Sequence, residues 1–334
     1  MFSARLRAGD WVEVKSKQEI LATLDGQGRL DGLPFMPEMF RFCGQRVRVA
    51  KRAHKTCDPP SGLAARKMRN AVHLDDLRCD GRAHGGCEAG CLLFWKEGWL
   101  KSVASEPASA GVAGGCSEAD VVAATMRPPE ADGEVRYACQ STQVIPATER
   151  LFWWDPRQYL EDYVSGNVRL HQLFSALLFT IYQNLARAGI GLGTPMIWAY
   201  DRFQRMRGGV QFPLRRGRVP PGNATPGGKL DLVAGERVKV KDFDDILGTL
   251  NETSHNRGMY FDAEMVVFCG KNYAVDRRVG TIVDEKTGRL LKFKSDAVIL
   301  KGVACEARYA KCRRFCPRAI YPYWREIWLE RAKP

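Results

Sequence analysis

The stretch GDWVEVKSKQEILATL at residues 9–24 occurs a second time, in related form, as GERVKVKDFDDILGTL at residues 235–250. At this constant offset of 226, 15 of the 36 positions between residues 9 and 44 are identical, which exceeds what shared composition gives. The match continues from AVHLDDLRC (71–79) to AVILKGVAC (297–305) and, after short gaps, from WKEGWL (95–100) to WREIWL (324–329). An internal repeat of this kind indicates that one structural unit is present twice.

Alternating apolar and polar residues predict the secondary structure of each copy. Residues 11–14 and 238–240 alternate and predict strands, helix-like segments follow at 17–24 and 243–250, and a basic strand is expected at 46–49. Residues 280–293 have the pattern of a hairpin with a polar, glycine-containing turn. Short strands with turns between them are typical of a small, partly open β-barrel. We therefore predict an α+β protein with two duplicated SH3-like lobes, each carrying a metal-binding cysteine loop.

The tryptophans near the end of each copy have a helical spacing. Trp95 and Trp99, like Trp324 and Trp328, are four residues apart, which places each pair on one face of a predicted helix. We expect these side chains to pack in a core rather than to stack on nucleic-acid bases.

Composition divides the rest of the chain. Residues 102–145 are rich in Ala, Gly, Ser and Pro and predict a linker, residues 146–218 a helical middle segment, and residues 219–230 a second linker. The two lobes then span residues 1–101 and 231–334. The longest apolar run, LFSALLFTIY at 173–182, is too short to cross a bilayer and predicts a buried helix.

The formal net charge is +13, which suits an anionic partner or a basic, well-solvated surface. Most of the basic residues are scattered among acidic ones, which favours the second interpretation. Residues 202–218 are an exception, with six arginines and no acid, so nucleic-acid binding remains an alternative that is not favoured.

Eleven cysteines are the strongest indication of chemistry. No secretory signal is visible, so we expect a cytoplasmic protein whose thiols stay reduced and serve as metal ligands or small buried side chains. The copies contain Cys79-x7-Cys87-x3-Cys91 and Cys305-x6-Cys312-x3-Cys316, and clustered thiolates repel one another unless a cation holds them. Proline directly after the last cysteine is typical of iron–sulfur ligand runs, and paired C-x2-C knuckles are absent from the sequence, so an iron–sulfur cluster is favoured over Zn²⁺.

Each cysteine triplet needs a fourth ligand. Cys57, Cys139 and His84 are the candidates for the first site, and Cys269 is the candidate for the second. His54, Cys57 and His84 have no counterpart in the second copy, so we expect the first copy to be the active one, with His54 and His84 as candidate catalytic residues.

Five segments carry a resemblance to a known family: LDGLPFMPEMFRFCG, KRAHKTCD, RCDGRAHGGCEAGC, WWDPRQYLEDYVSGN and RFCPRAIYPYWREIWLER. With them the chain resembles a family of cysteine-rich bacterial hypothetical proteins, whose genes tend to lie among those for natural-product or polysaccharide biosynthesis. The resemblance covers most of the chain outside the linkers. It implies a bacterial, cytosolic setting and a role in a biosynthetic pathway, and it implies no particular activity.

Two functions follow as expectations. The favoured one is a metal-binding protein of a specialised biosynthetic pathway, with redox or Lewis-acid chemistry on a small-molecule or carrier-bound substrate. The alternative is a non-catalytic, zinc-stabilised SH3-like module that binds an anionic partner.

Overall fold

The computed structural model describes residues 5–59, 64–102, 115–128, 130–310 and 313–332. In these ranges the protein is mixed α/β, with many short strands, few helices and a curled half-barrel sheet. The strands are β1 (Trp11–Val14), β2 (Arg29–Leu30), β3 (Leu33–Pro34), β4 (Arg46–Arg52), β5 (Lys55–Asp58), β6 (Ala64–Lys67), β7 (Ala71–Arg78), β8 (Leu92–Lys96), β9 (Leu100–Ser102), β10 (Glu149–Leu151), β11 (Arg237–Val240), β12 (His255–Asn256), β13 (Met259–Tyr260), β14 (Asn272–Val283), β15 (Leu290–Leu300), β16 (Trp324–Arg325) and β17 (Leu329–Arg331). The α-helices are α1 (Lys17–Leu21), α2 (Glu118–Ala123), α3 (Arg157–Val164), α4 (Leu170–Ala186), α5 (Gly193–Met206) and α6 (Phe243–Leu247).

The chain forms two compact units that interleave along the sequence. Unit 1 contains Met1–Leu170, Thr281–Lys292 and Cys312–Ile320, and unit 2 contains His171–Gly280, Phe293–Lys311 and Tyr321–Pro334. Two short segments of the second repeat therefore belong to unit 1. One is the turn between β14 and β15, and the other includes Cys316.

Unit 1 is built on a five-stranded antiparallel sheet with the strand order β8-β7-β4-β1-β9. In β1, Val12 and Val14 are fully buried while Trp11 is exposed, which is the alternation that the sequence predicts. Val12 lies opposite Val47 of β4 and Ser102 of β9. A three-stranded sheet, β10-β6-β5, adds to the unit and carries Cys57 opposite Ala65.

Unit 2 repeats this arrangement with the order β16-β15-β14-β11-β17. Val238 and Val240 of β11 are fully buried, as Val12 and Val14 are in β1. Val238 lies opposite Tyr273 of β14 and Arg331 of β17, and Val240 lies opposite Leu329. In the repeat alignment Val238, Tyr273 and Arg331 correspond to Val12, Val47 and Ser102 of unit 1. The two sheets therefore agree in strand order and in register.

The helix after the first strand has a clear start signal. The Ser16 hydroxyl accepts a hydrogen bond from the Glu19 backbone N–H at 3.4 Å, and the Glu19 carboxylate accepts one from the Ser16 N–H at 3.0 Å. This reciprocal pair is a capping box, which fixes the start of α1. The helix is also shorter than predicted, because it ends at Leu21.

The segment predicted as the first linker is partly packed against unit 1. Residues 103–114 lie outside the described residues, but α2 forms directly after them. Cys116, Val121 and Cys139 are buried in the unit 1 core. This stretch therefore delivers side chains to the interior, including one of the predicted metal ligands.

The predicted helix around the paired tryptophans is wrong. Trp95 lies in β8, paired opposite Val72, and Trp99 lies in a 3-10 turn at Glu97–Trp99. Strand pairing with β7 overrides the helical spacing, and a strand followed by a tight turn also brings the two rings to one side. The expectation of core packing is confirmed, since Trp95, Trp99, Trp324 and Trp328 are all fully buried.

The prediction of a buried helix at residues 173–182 is half right. The helix exists as α4, but its side chains are not enclosed: Phe174, Leu177 and Leu178 are each more than half exposed. None of the helices in the described part of the chain is long and apolar enough to span a membrane.

Candidate metal centre

The loop between β7 and β8 folds tightly back on itself in unit 1. The backbone N–H of Cys79 donates to the carbonyl of Cys91 at 2.9 Å, which closes the loop at its base. Gly81 has a φ of +72°, and a Cβ at this position would lie 1.9 Å from the carbonyl oxygen of Cys87. Only glycine fits so close an approach of two backbone segments. The loop geometry therefore depends on the glycines that the sequence places between the cysteines.

Three side chains converge at this loop. The ligand atoms of Glu38, Cys79 and His84 all lie within 4.8 Å of one another. Cys79 Sγ is 3.2 Å from His84 Nε2 and also accepts a hydrogen bond from the Gly81 N–H at 3.3 Å. Glu38 comes from the 3-10 turn at Pro37–Phe42, about 40 residues earlier in the chain. We call this set the Glu–Cys–His triad.

Burial disfavours the charged form of every member of the triad. It raises the pKa of Glu38 and of Cys79 and lowers the pKa of His84. Neither carboxylate oxygen of Glu38, nor Nδ1 of His84, has a hydrogen bond of standard geometry from the described residues. The Cys79 thiol is nevertheless close enough to oppose part of the rise in the pKa of Glu38. Buried polar atoms without partners are costly, and a bound cation is one way to satisfy them.

The donor set suits zinc. Carboxylate oxygen, thiolate sulfur and imidazole nitrogen are the usual ligands of Zn²⁺, at about 2.0–2.3 Å from the ion. A tetrahedral ion with such bonds separates its sulfur and nitrogen ligands by about 3.5 Å, close to the 3.2 Å between Cys79 and His84. Three protein ligands leave a fourth position for water or a substrate, which is the arrangement of catalytic zinc sites.

The equivalent glutamate in unit 2 has different neighbours. Glu264 is the counterpart of Glu38, and its carboxylate accepts hydrogen bonds from the backbone N–H groups of Arg308, Tyr309 and Ala310 at 2.6, 2.7 and 2.9 Å. These three residues lie where the first copy has the segment containing His84. In unit 2, backbone N–H groups therefore satisfy the buried carboxylate.

A second group of sulfurs adjoins the triad in unit 1, because the backbone of Cys79 is hydrogen-bonded to that of Cys91. The backbone N–H of Cys57 donates to Cys316 Sγ at 3.2 Å, although the two cysteines are 259 residues apart. The N–H of Val283 donates to Cys87 Sγ and the hydroxyl of Ser141 to Cys91 Sγ, both at 3.3 Å. Polar hydrogens aimed at sulfur favour the thiolate, which is the metal-binding form of cysteine, but burial outweighs them and raises the pKa of Cys87.

Arg318 is a buried cation within this sulfur group. Its guanidinium donates to the carbonyl of Cys57 at 3.2 Å, to the Ser141 hydroxyl at 2.9 Å and to Glu285 at 2.6 Å. Burial lowers the pKa of Arg318, but Glu285 and the sulfurs of Cys57 and Cys91 outweigh that effect, so its pKa is raised overall. Burial raises the pKa of Cys91, and Arg318 opposes this rise. Contact with the Cys316 thiol, followed by burial, raises the pKa of Cys57.

The structure thus distributes the cysteines predicted as ligands over several places. Cys79 joins Glu38 and His84, while Cys57 meets Cys316, and Cys139 interacts electrostatically with Cys87 and Cys91. Cys269 and Cys305 belong to unit 2, and Cys312 lies outside the described residues. Among the residues that the structure describes, the Glu–Cys–His triad is the one group of three or more His, Cys, Asp or Glu residues whose ligand atoms all lie within 4.8 Å of one another. The four-ligand assignments based on spacing remain predictions.

Glu38 is the member of the triad that the sequence interpretation missed. A single glutamate has no diagnostic spacing, and its partners lie far along the chain. One signal was available, because the repeat alignment keeps a glutamate at this position in both copies, as Glu38 and Glu264.

His54, the other candidate catalytic histidine, lies at a separate place in unit 1. Its Nε2 is 3.2 Å from Oδ1 of the fully buried Asp162, whose Oδ2 is 2.5 Å from Lys55 Nζ. Burial lowers the pKa of Lys55, and Asp162 opposes that shift. His54 also lines a cavity of about 570 Å³ whose cationic residues outnumber its acidic ones; the cations are Arg5, Arg52, Lys67, Arg69 and Arg157, and the acids are Asp155 and Glu161.

Comparison of the chain with protein-family models, with curated proteins and with solved structures gave no significant match.

Proposed function

We propose that this chain is a metal protein of a bacterial biosynthetic pathway in the cytoplasm, with one Zn²⁺ bound by Glu38, Cys79 and His84. Zinc with an open coordination position supplies Lewis-acid chemistry, by polarising a substrate oxygen or activating a water. The protein supplies two anionic ligands and a neutral one, held in a buried loop.

One observation carries this proposal, namely the contrast between Glu38 and Glu264. Both carboxylates are buried and occupy equivalent positions of the repeat. Glu264 is satisfied by three backbone N–H groups, whereas Glu38 faces a thiol and an imidazole. A buried carboxylate beside two further metal-ligating side chains is the arrangement that a divalent cation stabilises.

The test is the metal content of protein purified without oxygen, measured by mass spectrometry of the elements. We expect about one zinc per chain, consistent with one three-ligand site. The variant Cys79→Ser should lose most of this zinc, while Cys305→Ser, the equivalent position in unit 2, should keep it. A retained circular dichroism spectrum in both variants shows that they are folded. Equal zinc in Cys79→Ser and in the unmodified protein would contradict the proposal.

An iron–sulfur cluster is the second candidate, and the sulfur group of unit 1 favours it. Cys87, Cys91 and Cys139 lie close enough to influence one another's pKa, and Cys79 is influenced by Cys91. A cluster spans several iron atoms, so its ligand sulfurs can be farther apart than those of a single ion. Purified protein that contains iron and inorganic sulfide and is brown, and a Cys139→Ser variant that loses the iron, the sulfide and the colour, would establish this candidate in place of zinc.

We also propose that both units derive from duplication of an SH3-like lobe with a cysteine loop. Support comes from the repeat, from the equal strand order and from the equal register in the two sheets. The asymmetry between Glu38 and Glu264 then means that one lobe keeps a metal and the other has replaced it with backbone amides.

A non-catalytic module that binds an anionic partner remains as an alternative, and the cavity at His54 favours it. Five cationic side chains line this cavity against two acidic ones, and a small excess of positive charge is left after Arg52 and Arg69 pair with Glu97 and Glu149 outside the lining. Binding of a polyanion such as heparin that weakens steeply with added salt, together with a Lys67→Gln variant that weakens it further, would support this function.

A further inference from the structure

Helix α4 presents an apolar stripe to solvent. Phe174, Leu177, Leu178, Ile181 and Leu185 are exposed by 61%, 56%, 52%, 49% and 48%. Their spacing of three, four, seven and eleven residues from Phe174 places them on one helix face. The helix carries no Asp, Glu, Lys or Arg. A surface helix usually has the opposite arrangement, with its polar side outward.

The inner side of α4 is packed within unit 2. The ring of Phe179 is 5.2 Å from that of Tyr309, 6.1 Å from that of Tyr200 and 6.2 Å from that of Phe212. Tyr182 lies 5.6 Å from Tyr200. These contacts fix the rotation of the helix, so the apolar stripe faces outward because the other side is occupied.

Helix α5 follows after a short turn and continues the same character. Trp198 and Met206 are exposed by 68% and 70%, and Arg202 lies between them at helical spacing. Tryptophan with its amphipathic ring is the side chain most typical of the boundary between water and lipid.

The charge of this helix pair is positive. Between residues 171 and 208 there are four arginines, Arg187, Arg202, Arg205 and Arg207, all exposed. The one acid in that range is Asp201, whose carboxylate is occupied by Arg215 and by the Phe212 N–H. The helix pair therefore combines an apolar face with exposed arginines for which no ion pair is found in the described part of the chain, and these are the two features that bind a helix to an anionic lipid surface.

The charges also argue against a second copy of the chain as the partner. A symmetric dimer through this face brings the same patch of each subunit together, and so places arginines near arginines. An anionic bilayer covers the apolar stripe and neutralises the arginines in the same event. At 17 residues, α4 is about 25 Å long, which suits a helix lying in the plane of the interface.

We propose that the α4–α5 face, made of the exposed residues Phe174, Leu177, Leu178, Ile181, Leu185 and Trp198, attaches this protein to the surface of an anionic membrane. The attachment is peripheral, with the apolar stripe inserted among the lipid headgroups. It is independent of the metal centre, which lies in unit 1.

The experiment is co-sedimentation of the full chain with large unilamellar vesicles. One set contains phosphatidylcholine with about a third phosphatidylglycerol, and the other contains phosphatidylcholine alone. We expect binding to the anionic vesicles, weakened several-fold as the salt concentration rises from about 0.1 M to 0.5 M, and little binding to the neutral ones. The double variant Leu177→Glu/Ile181→Glu should bind at least tenfold more weakly.

The matched control is Leu160→Glu/Val164→Glu on α3. These residues are also apolar, exposed by 63% and 49%, and four positions apart on a helix, but they lie in unit 1. The control should bind like the unmodified protein, and an equal loss in both double variants would overturn the proposal. The absence of vesicle binding would also overturn the proposal. Sedimentation velocity then shows whether the chain is monomeric or forms a dimer that Leu177→Glu/Ile181→Glu disrupts.

Discussion

The two five-stranded sheets have the same order and register but different chemistry at their loops. Val14 lies opposite Leu100 in unit 1, and Val240 lies opposite Leu329 in unit 2, at equivalent positions of the repeat. The loop that follows β7 gathers a thiol, an imidazole and a carboxylate, whereas its counterpart offers backbone N–H groups to Glu264. The comparison teaches that the same strand frame can carry loops that present different chemical groups to an equivalent buried glutamate.

The aromatic cores of the two sheets are nearly the same in geometry. The rings of Phe35 and Trp99 are 5.1 Å apart at 88°, and those of Phe261 and Trp328 are 5.2 Å apart at 83°. Both pairs are edge-to-face, one of the two arrangements that aromatic rings prefer. The packing that holds each sheet is therefore common to both units and separate from the loop that contains Cys79 and His84.

Removing the tryptophan from either core is expected to have the largest effect on stability. Trp99→Ala and Trp328→Ala should each lower the free energy of unfolding by about 3–5 kcal/mol, because each leaves a large cavity. Substitution of each tryptophan by phenylalanine should distinguish the two units. Trp328 donates from Nε1 to the Thr249 hydroxyl at 3.0 Å, while Nε1 of Trp99 has no partner among the described residues. Trp328→Phe should therefore cost about 1 kcal/mol more than Trp99→Phe.

Urea denaturation followed by far-ultraviolet circular dichroism measures these differences, and hydrogen exchange assigns them to a unit. An equal or larger loss for Trp99→Phe would show that the hydrogen bond from Trp328 to Thr249 does not contribute to stability as expected.

Local pattern was sufficient to predict much of this frame. The alternation at residues 11–14 coincides with β1, and the expected hairpin at 280–293 coincides with the end of β14, a turn and the start of β15. These signals depend on residues that are neighbours in the sequence, so a single sequence is enough to detect them. The repeat also identifies equivalent positions from the sequence alone, because the constant offset of 226 residues is found without knowledge of the tertiary structure.

The candidate site was less accessible from sequence because its members come from distant parts of the chain. Glu38 meets Cys79 and His84 only when the 3-10 turn packs on the cysteine loop. Cys57 meets Cys316 across 259 residues, a contact that cysteine spacing within one repeat does not encode. The exposed face of α4 was missed for a related reason, since an apolar run gives the character of a helix but not what covers it.

Exchanging the glutamates for glutamine tests the contrast between the two loops. Glu264→Gln should lower the free energy of unfolding by about 2 kcal/mol, because charge-assisted hydrogen bonds to three backbone N–H groups are weakened. In metal-free protein, Glu38→Gln should be neutral or stabilising, since burial already disfavours its carboxylate.

The measurement is urea denaturation at pH 7 with a chelator present. The measurement is then repeated with added zinc in place of the chelator. Under that condition Glu38→Gln should be less stable than the unmodified protein. If Glu38→Gln were as damaging as Glu264→Gln without metal, the two carboxylates would have the same structural role.

The smallest expected effect concerns a buried histidine that only one unit has. His73 is fully buried and donates from Nδ1 to the Leu93 carbonyl at 2.9 Å, while its counterpart in unit 2 is the equally buried Ile299. Burial lowers the pKa of His73 to about 3, from an ordinary value of 6.5. Between these two pH values the unfolded chain binds a proton that the folded chain does not. The free energy of unfolding therefore falls as the pH falls, by about 1.4 kcal/mol per pH unit.

His73→Ile, which copies the residue of unit 2, should remove this slope. The measurement is the free energy of unfolding in urea at pH 6.0 and 5.0, and the quantity of interest is the difference between the two for each protein. The buried substitution Leu74→Ile serves as the control, because it alters packing next to His73 without removing a titrating group and should keep the slope. An unchanged pH dependence in His73→Ile would mean that the histidine is protonated in the folded protein, and that the core of unit 1 is more polar at this position than that of unit 2.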